Sequence, residues 1–299
     1  APPPAGGLMA IPVIEVRIWG RRVGAVAPDP RLGCYVFAYD PAWRRGGIEL
    51  APLNMPLADP RPSFAFPELA EASYKRLPGL LADALPDDFG NALIDAWMSA
   101  RGVERRAVTT LDRLAYMGRR GMGALEFKPA RGAHRESAEP LAMKNLVEAA
   151  RKVIRADLSG DIQAQAALAN IIRVGTSAGG ARAKAVIAWN EKTGEVRSGQ
   201  TKALKGFEHW LIKLDGVSEV QLGVSHGYGR VEMAYCNMAK ACGIEMMPSR
   251  LLEENGRAHF MTRRFDREGG ETKHHVQTFC ALKHFDYNQV SSFSYEQLF

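Results

Sequence analysis

The sequence predicts an α+β fold, with a small β-rich amino-terminal domain ahead of a half in which strands and helices are mixed. Three observations carry this. Residues 13–39 alternate apolar and polar side chains around a glycine turn, the mark of half-buried strands. Apolar residues recur at helical spacing over 88–100 and 141–158. A glycine-rich loop at 175–184 runs straight into the apolar, strand-like Ala185-Val186-Ile187-Ala188-Trp189. A length of 299 residues suits about two domains, each able to bury a core.

Composition is that of a soluble globular chain, 46% hydrophobic and 24% charged. The formal charge of +6 favours an anionic partner such as a nucleotide or DNA. The basic pairs Arg21-Arg22, Arg44-Arg45, Arg105-Arg106, Arg119-Arg120 and Arg263-Arg264 are spread out, however, and read mostly as solvated surface. Cys34, Cys236, Cys242 and Cys280 form no C-x-x-C, so a zinc site is not expected and a reducing, cytoplasmic compartment fits best. Residues 1–12 open on Ala1-Pro2-Pro3-Pro4 and lack the basic and apolar regions of a signal peptide; they read as a disordered tail.

The first hairpin is Val13 to Trp19 and Val23 to Ala27 about Gly20-Arg21-Arg22. A third strand, Cys34 to Tyr39, stops at Asp40-Pro41, since a residue before proline is held extended. Prolines 52, 56, 60, 62 and 67 make 51–67 a long loop. A helix is expected from about Glu68, and another over Asp88 to Ala100 with Phe89, Ala92, Leu93, Ala96 and Trp97 on one face. Thr110 to Met117 reads as a helix, Gly118 to Gly123 as a turn, and Ala124 to Phe127 as a strand.

These segments resemble the amino-terminal domain of HipA-type toxins, serine/threonine kinases of bacterial type II toxin–antitoxin systems. The likeness lies in Val23-Gly24-Ala25-Val26 with Phe37 to Trp43, then Asn54-Met55-Pro56-Leu57, Leu85-Pro86-Asp87-Asp88, Tyr116-Met117-Gly118 and Gly121 to Phe127, in the family's order.

After a linker near 129–139 come two amphipathic helices, Leu141 to Leu158 and Asp161 to Ile172. In the loop that follows, glycines let backbone N–H groups approach an anion, and Lys184 can add a cation for the same phosphates. The loop matches neither G-x-x-x-x-G-K-[ST] nor G-x-G-x-x-G, and taken alone a bare turn accounts for it equally well. Lys213 lies in the apolar strand His209 to Leu214, and an ammonium there needs a partner or an escape to solvent. In kinases the partners are an ATP phosphate and a glutamate of the next helix. Glu232 stands nineteen residues on, in a helix over Arg230 to Lys240 whose inner face reads as Val231, Ala234, Tyr235 and Met238. By itself Glu232 reads better as an exposed carboxylate favoured at a helix start. The order of glycine loop, strand, strand with lysine and helix with glutamate is that of a kinase amino-terminal lobe.

This half also resembles the HipA family. Ser177-Ala178-Gly179-Gly180-Ala181-Arg182-Ala183-Lys184 is similar to the family's phosphate loop, Ile212-Lys213-Leu214 to its ATP-binding strand, and Val231-Glu232 with Ala239 to Ile244 to its glutamate helix. Met261 to Arg267 is similar to its hinge, except that Arg263 stands where the family often has glutamate. The resemblance implies ATP and Mg²⁺ as cofactors, with Gly179, Gly180, Ala181, Arg182, Ala183 and Lys184 over the phosphates. It implies Lys213 on the α/β-phosphates, oriented by Glu232, main-chain contacts from Arg263 and Phe265 to adenine, and inhibitory autophosphorylation of Ser177. Implied partners are a HipB-like DNA-binding antitoxin, operator DNA through that complex, and a protein substrate such as an aminoacyl-tRNA synthetase. The expected layout is an amino-terminal domain over 13–130, a kinase-like five-stranded lobe with leading helices over 131–267 and the start of a helical lobe over 268–299. The family's catalytic aspartate and metal-binding aspartate would follow residue 299. Asp266 and Asp286 stand in no such motif, and the chain by itself is expected to transfer phosphate poorly or not at all, with exposed apolar surface in its last segment. Two other readings stay open: a non-catalytic interaction module acting with an antitoxin on DNA, and a nucleotide-binding pseudokinase.

Overall fold

The computed structural model describes residues 11–131, 141–154, 171, 182–200, 203–219, 223–224, 227–269 and 272–299. They pack as two units. One is drawn from 8–85, 109–131 and 275–299, the other from 86–108 and 132–274. This division cuts across the linear one read from the sequence, because 86–108 join the second half and 275–299 join the first.

In the first unit, β1 (Ile14–Ile18), β2 (Arg21–Asp29), β3 (Cys34–Tyr39) and β4 (Leu125–Lys128) form an antiparallel sheet in the order β3-β2-β1-β4. Ile14, Val16 and Ile18 are buried while Glu15 and Arg17 are half-buried, the alternation expected of a strand with one covered face. The register shifts between Val16 and Arg17, where a β-bulge breaks the ladder. Gly24 of β2 lies in a close approach: a Cβ there would sit 2.2 Å from the Ala38 carbonyl oxygen and 2.8 Å from the Phe37 ring. Gly24→Ala is therefore expected to destabilise this unit by about 1–3 kcal/mol, read as a lowered chemical-denaturation midpoint with an unchanged slope.

After β3 comes α1 (Pro41–Arg45), started by Asp40, whose carboxylate accepts from the Ala42 N–H. The proline-rich loop is anchored inward by buried Met55 and Phe64, and the Tyr39 hydroxyl donates to the Met55 carbonyl at 3.0 Å. The helix expected from Glu68 is two short pieces, α2 (Glu71–Tyr74) and α3 (Gly79–Ala82). Lys75 and Arg76 adopt positive φ (49° and 64°) and Pro78 follows, which ends one helix before the next can start. Between Thr109 and Gly118 lies α5 (Thr110–Met117), opened by a capping box of Thr109 and Asp112.

The last segment docks on this unit. Asp83 accepts from both the N–H and the hydroxyl of Thr278, which itself caps α8 (Phe279–Lys283), and the Gly79 N–H donates to His284 Nε2 at 3.1 Å. A Cβ on Gly79 would meet the Ala281 carbonyl at 2.2 Å, so backbone meets backbone here. By these contacts 275–299 pack with the first unit. Tyr287, Val290, Tyr295 and Phe299 are exposed.

The second unit is built on an antiparallel sheet in the order β10-β11-β7-β5-β6. Its strands are β5 (Lys184–Trp189), β6 (Val196–Ser198), β7 (Glu208–Lys213), β10 (Ser249–Glu254) and β11 (Arg257–Arg263). Two small hairpins, β8 (Ser218–Glu219) with β9 (Gly223–Val224) and β12 (Arg267–Glu268) with β13 (Thr272–Lys273), complete its strands among the described residues. Every residue of β5 is buried, the apolar run Ala185 to Trp189 and the Lys184 before it, and Trp189 meets Trp210 edge to face at 5.5 Å. Helix α4 (Asp88–Ser99) packs on α6 (Met143–Ile154), with Leu93, Trp97, Leu146 and Val147 buried. Of the helix expected over Asp161 to Ile172 only Ile171 is among the described residues, and it is buried.

Helix α7 (Tyr228–Ala241) packs on β11 and β10. Its inner face is not the one the apolar spacing suggests: Val231, Ala234, Tyr235 and Met238 are exposed, while Gly229 and Cys236 are buried and Glu232 is half-buried. Gly229 decides this. A Cβ there would lie 1.9 Å from the Ala258 carbonyl oxygen, so the helix meets β11 on its glycine, and the residues three and seven positions on follow it inward.

Candidate functional site

The site lies where β5, β7 and α7 converge. Lys213, the last residue of β7, donates from Nζ to Glu232 Oε2 at 2.6 Å, and Arg182, just before β5, donates from its guanidinium to Glu232 Oε1 at 3.2 Å. One carboxylate thus holds two cations, and the trio carries a formal +1. The Arg182 guanidinium also lies 3.9 Å from the centre of the Tyr228 ring. Tyr228 and Glu232 are one helical turn apart on α7, so the ring and the carboxylate present a single surface to the arginine. Lys213 and Glu232 are 35% and 24% exposed, and a pair so open to water contributes at most about 1 kcal/mol to the fold. Chemically, the cluster places two cations side by side at a spot that solvent reaches.

Lys184 differs. The β5–β7 register puts it directly opposite Lys213, a like-charge pair that is unfavourable unless each cation has its own counter-ion. Lys184 takes its counter-ion from far along the chain: Nζ donates to Asp87 Oδ2 at 2.6 Å, with the two side chains 1% and 3% exposed. The other Asp87 oxygen accepts from the Gly90 N–H at 2.7 Å and caps α4. Burial pushes the Asp87 carboxyl up while the Lys184 ammonium pulls it down. Lys184, read from the sequence as facing phosphate, has its ammonium on Asp87 in this structure and ties the head of β5 to α4, while Arg182 and Lys213 are the cations that face Glu232. Ala183 is buried, and its carbonyl accepts from the Leu214 N–H at 2.9 Å. Ser177, Gly179, Gly180 and Ala181 lie outside the described residues.

At the expected hinge, Arg263 ends β11 opposite Trp210, and its N–H donates to the Pro248 carbonyl at 2.9 Å. Its guanidinium meets Glu208 at 3.1 Å. Phe265 is exposed. Between and after them, buried Arg264 grips fully buried Asp266 through two hydrogen bonds of 2.8 and 2.5 Å, and Arg267 adds a third at 2.6 Å. Asp266 is thus the anion that stiffens this turn. Neither the Lys184–Asp87 pair nor the Arg182–Tyr228 stacking carries a local sequence signal; an acidic N-cap ahead of an apolar helix was the only cue at Asp87.

With this geometry in place, comparison with known proteins places the chain. Residues 14–128 match the HipA N-terminal domain and residues 176–299 match the HipA-like C-terminal domain. No curated protein matches. Among solved structures, a chain of the Shewanella oneidensis MR-1 toxin–antitoxin system HipA, HipB and operator DNA complex is similar in fold, with a TM-score of 0.52 at 13% identity. That match covers 88% of this chain and 54% of the other, so this chain spans about half the length of its structural relative. A β-rich first unit joined to a second unit built on a five-stranded sheet and a glutamate-bearing helix is the class of protein defined here. The chain belongs to the HipA family, whose amino- and carboxy-terminal domain models it matches in order.

Proposed function

We propose that the second unit binds ATP as the nucleotide lobe of a HipA-like serine/threonine protein kinase that transfers the γ-phosphate to a protein serine. The observation that carries this reading is the meeting of Lys213 and Arg182 on the two oxygens of Glu232. A polyphosphate fits such a place: it supplies the anion that a trio of net positive charge attracts, and Glu232 keeps the lysine from swinging to solvent. Mg²⁺ would arrive with the phosphates, whose oxygens it prefers, and would neutralise their charge. Among the described residues no cluster of acidic, histidine or cysteine side chains could hold a metal by itself. Main-chain groups near Arg263 and Phe265 are proposed for adenine.

Glu232→Gln keeps the size and a hydrogen-bond acceptor but removes the charge. It is expected to weaken ATP·Mg²⁺ binding about tenfold by fluorescence titration, because Lys213 then loses its alignment. An unchanged affinity would count against this site. Ser177 is proposed as the self-inhibitory phosphorylation site, since roughly two negative charges on it would compete with the phosphates of ATP. The protein substrate, proposed as an aminoacyl-tRNA synthetase, and a cytoplasmic location belong to the same reading. No helix among the described residues is long and apolar enough to cross a membrane.

A second reading rests on the structural relative, which is described as a complex of HipA, HipB and operator DNA. On it, this chain joins a HipB-like antitoxin, and DNA binding through that complex weakens steeply with salt.

A further inference from the structure

Lys213 and Glu232 belong to different elements, and something must hold those elements in register for the two side chains to meet. Three element ends converge on Asp215, two residues beyond Lys213. Asp215 is buried, and its Oδ2 accepts from the N–H of Gly227, the residue capping α7 five positions before Glu232, at 3.3 Å. The same oxygen accepts from the N–H of Ala258 in β11 at 3.4 Å. The Asp215 N–H is held in turn by Nδ1 of fully buried His259 at 2.8 Å, and His259 Nε2 lies 3.3 Å from Glu254 Oε1, which also accepts from Arg257 at 2.9 Å. An imidazole that accepts at Nδ1 is neutral and carries its proton on Nε2, facing Glu254. Next to these groups, the Ala258 carbonyl lies where any side chain at Gly229 would be, so α7 meets β11 closely at its glycine.

We propose that Asp215 and His259 are positioning residues that set the Lys213–Glu232 pair, the carboxylate fixing the start of α7 to β11 and the imidazole fixing the carboxylate's own backbone to β11. The proposal rests on the nucleotide-site reading for its functional meaning, but the geometry it describes can be tested without nucleotide. Neither residue touches the Lys213 ammonium in this structure, so their effect on it passes through backbone placement.

The test measures the rate at which an amine-acylating reagent labels Lys213, read by mass spectrometry of its peptide, beside ATP·Mg²⁺ affinity, for the folded full chain and its variants. Asp215→Ala and His259→Leu are expected to speed labelling of Lys213 about two- to fivefold, as Glu232→Gln does, because the amine leaves its carboxylate. His259→Asn keeps an acceptor at the Nδ1 position and is expected to label at the wild-type rate. If Asp215→Ala fails to fold, the histidine pair decides. Wild-type labelling in His259→Leu, alongside faster labelling in Glu232→Gln, overturns the proposal. Absence of ATP binding by the wild-type chain would overturn the nucleotide reading, while the labelling rates would still decide the positioning role.

Discussion

Replacing Lys184 by methionine is expected to lower the unfolding free energy by about 3–5 kcal/mol, a fall in Tm of the order of 10 °C. Methionine fills much the same volume, so packing changes little; the damage is electrostatic. Asp87 is left as a carboxylate 3% exposed whose one cationic partner at 2.6 Å is gone, with only the Gly90 N–H among the hydrogen bonds described for it. Asp87→Asn in the same chain removes the buried charge yet keeps a good helix cap, and the double variant is expected to recover most of the loss. The sign of the pH dependence follows. Burial already raises the Asp87 carboxyl, and losing Lys184 removes its largest lowering influence, so the carboxyl rises further in the folded variant. Between the unfolded and folded values the folded state then binds more protons than the unfolded one, and stability falls as pH rises through that window. The deficit of Lys184→Met should be larger near pH 8 than near pH 5, measured by urea unfolding at both. A deficit under about 1 kcal/mol would mean that Lys184 is not a structural anchor.

Much of this was legible in the sequence where the signal is local. Strand β3 runs from Cys34 to Tyr39 as read, because an apolar alternation ended by Asp40-Pro41 leaves little choice. Helix α4 appears where Phe89, Leu93 and Trp97 recur, and α5 where Thr109 and Asp112 form a cap. The Lys213–Glu232 contact followed from the order of elements, since a strand followed by the helix that covers its end brings the two side chains together.

What stayed hidden was set by distant partners. Lys184 stands beside a glycine loop and reads as a ligand for phosphate; only the fold brings Asp87 to it from ninety-seven residues away. On α7 the apolar spacing of Val231, Tyr235 and Met238 pointed the wrong way: the helix approaches the Ala258 carbonyl at Gly229, and those three side chains are exposed. The assignment of 86–108 and 275–299 to opposite units depends on such pairings as well, of Asp87 with Lys184 in one and of Asp83 with Thr278 in the other.

The second large effect falls on Lys213. It shares Glu232 with Arg182, and it is half-exposed, so Lys213→Ala should leave stability within about 1 kcal/mol while removing one of the two cations offered to the phosphates. If the proposed nucleotide site is correct, loss of a charge-assisted contact to a phosphate is expected to weaken ATP·Mg²⁺ about a hundredfold. Two lysines thus stand directly opposite each other on neighbouring strands, Lys184 buried against Asp87 and Lys213, half-exposed beside Glu232, the one proposed to meet a nucleotide.

The most direct measurement is calorimetric titration of the 299-residue chain with ATP·Mg²⁺ beside the same chain carrying Lys213→Ala, with unfolding curves recorded for both. Binding by the first, loss of that binding in the second and nearly equal stability are expected. Equal ATP affinity in the two chains would contradict the assignment of Lys213, and no binding by either would leave the antitoxin-dependent interaction module as the better description of these residues.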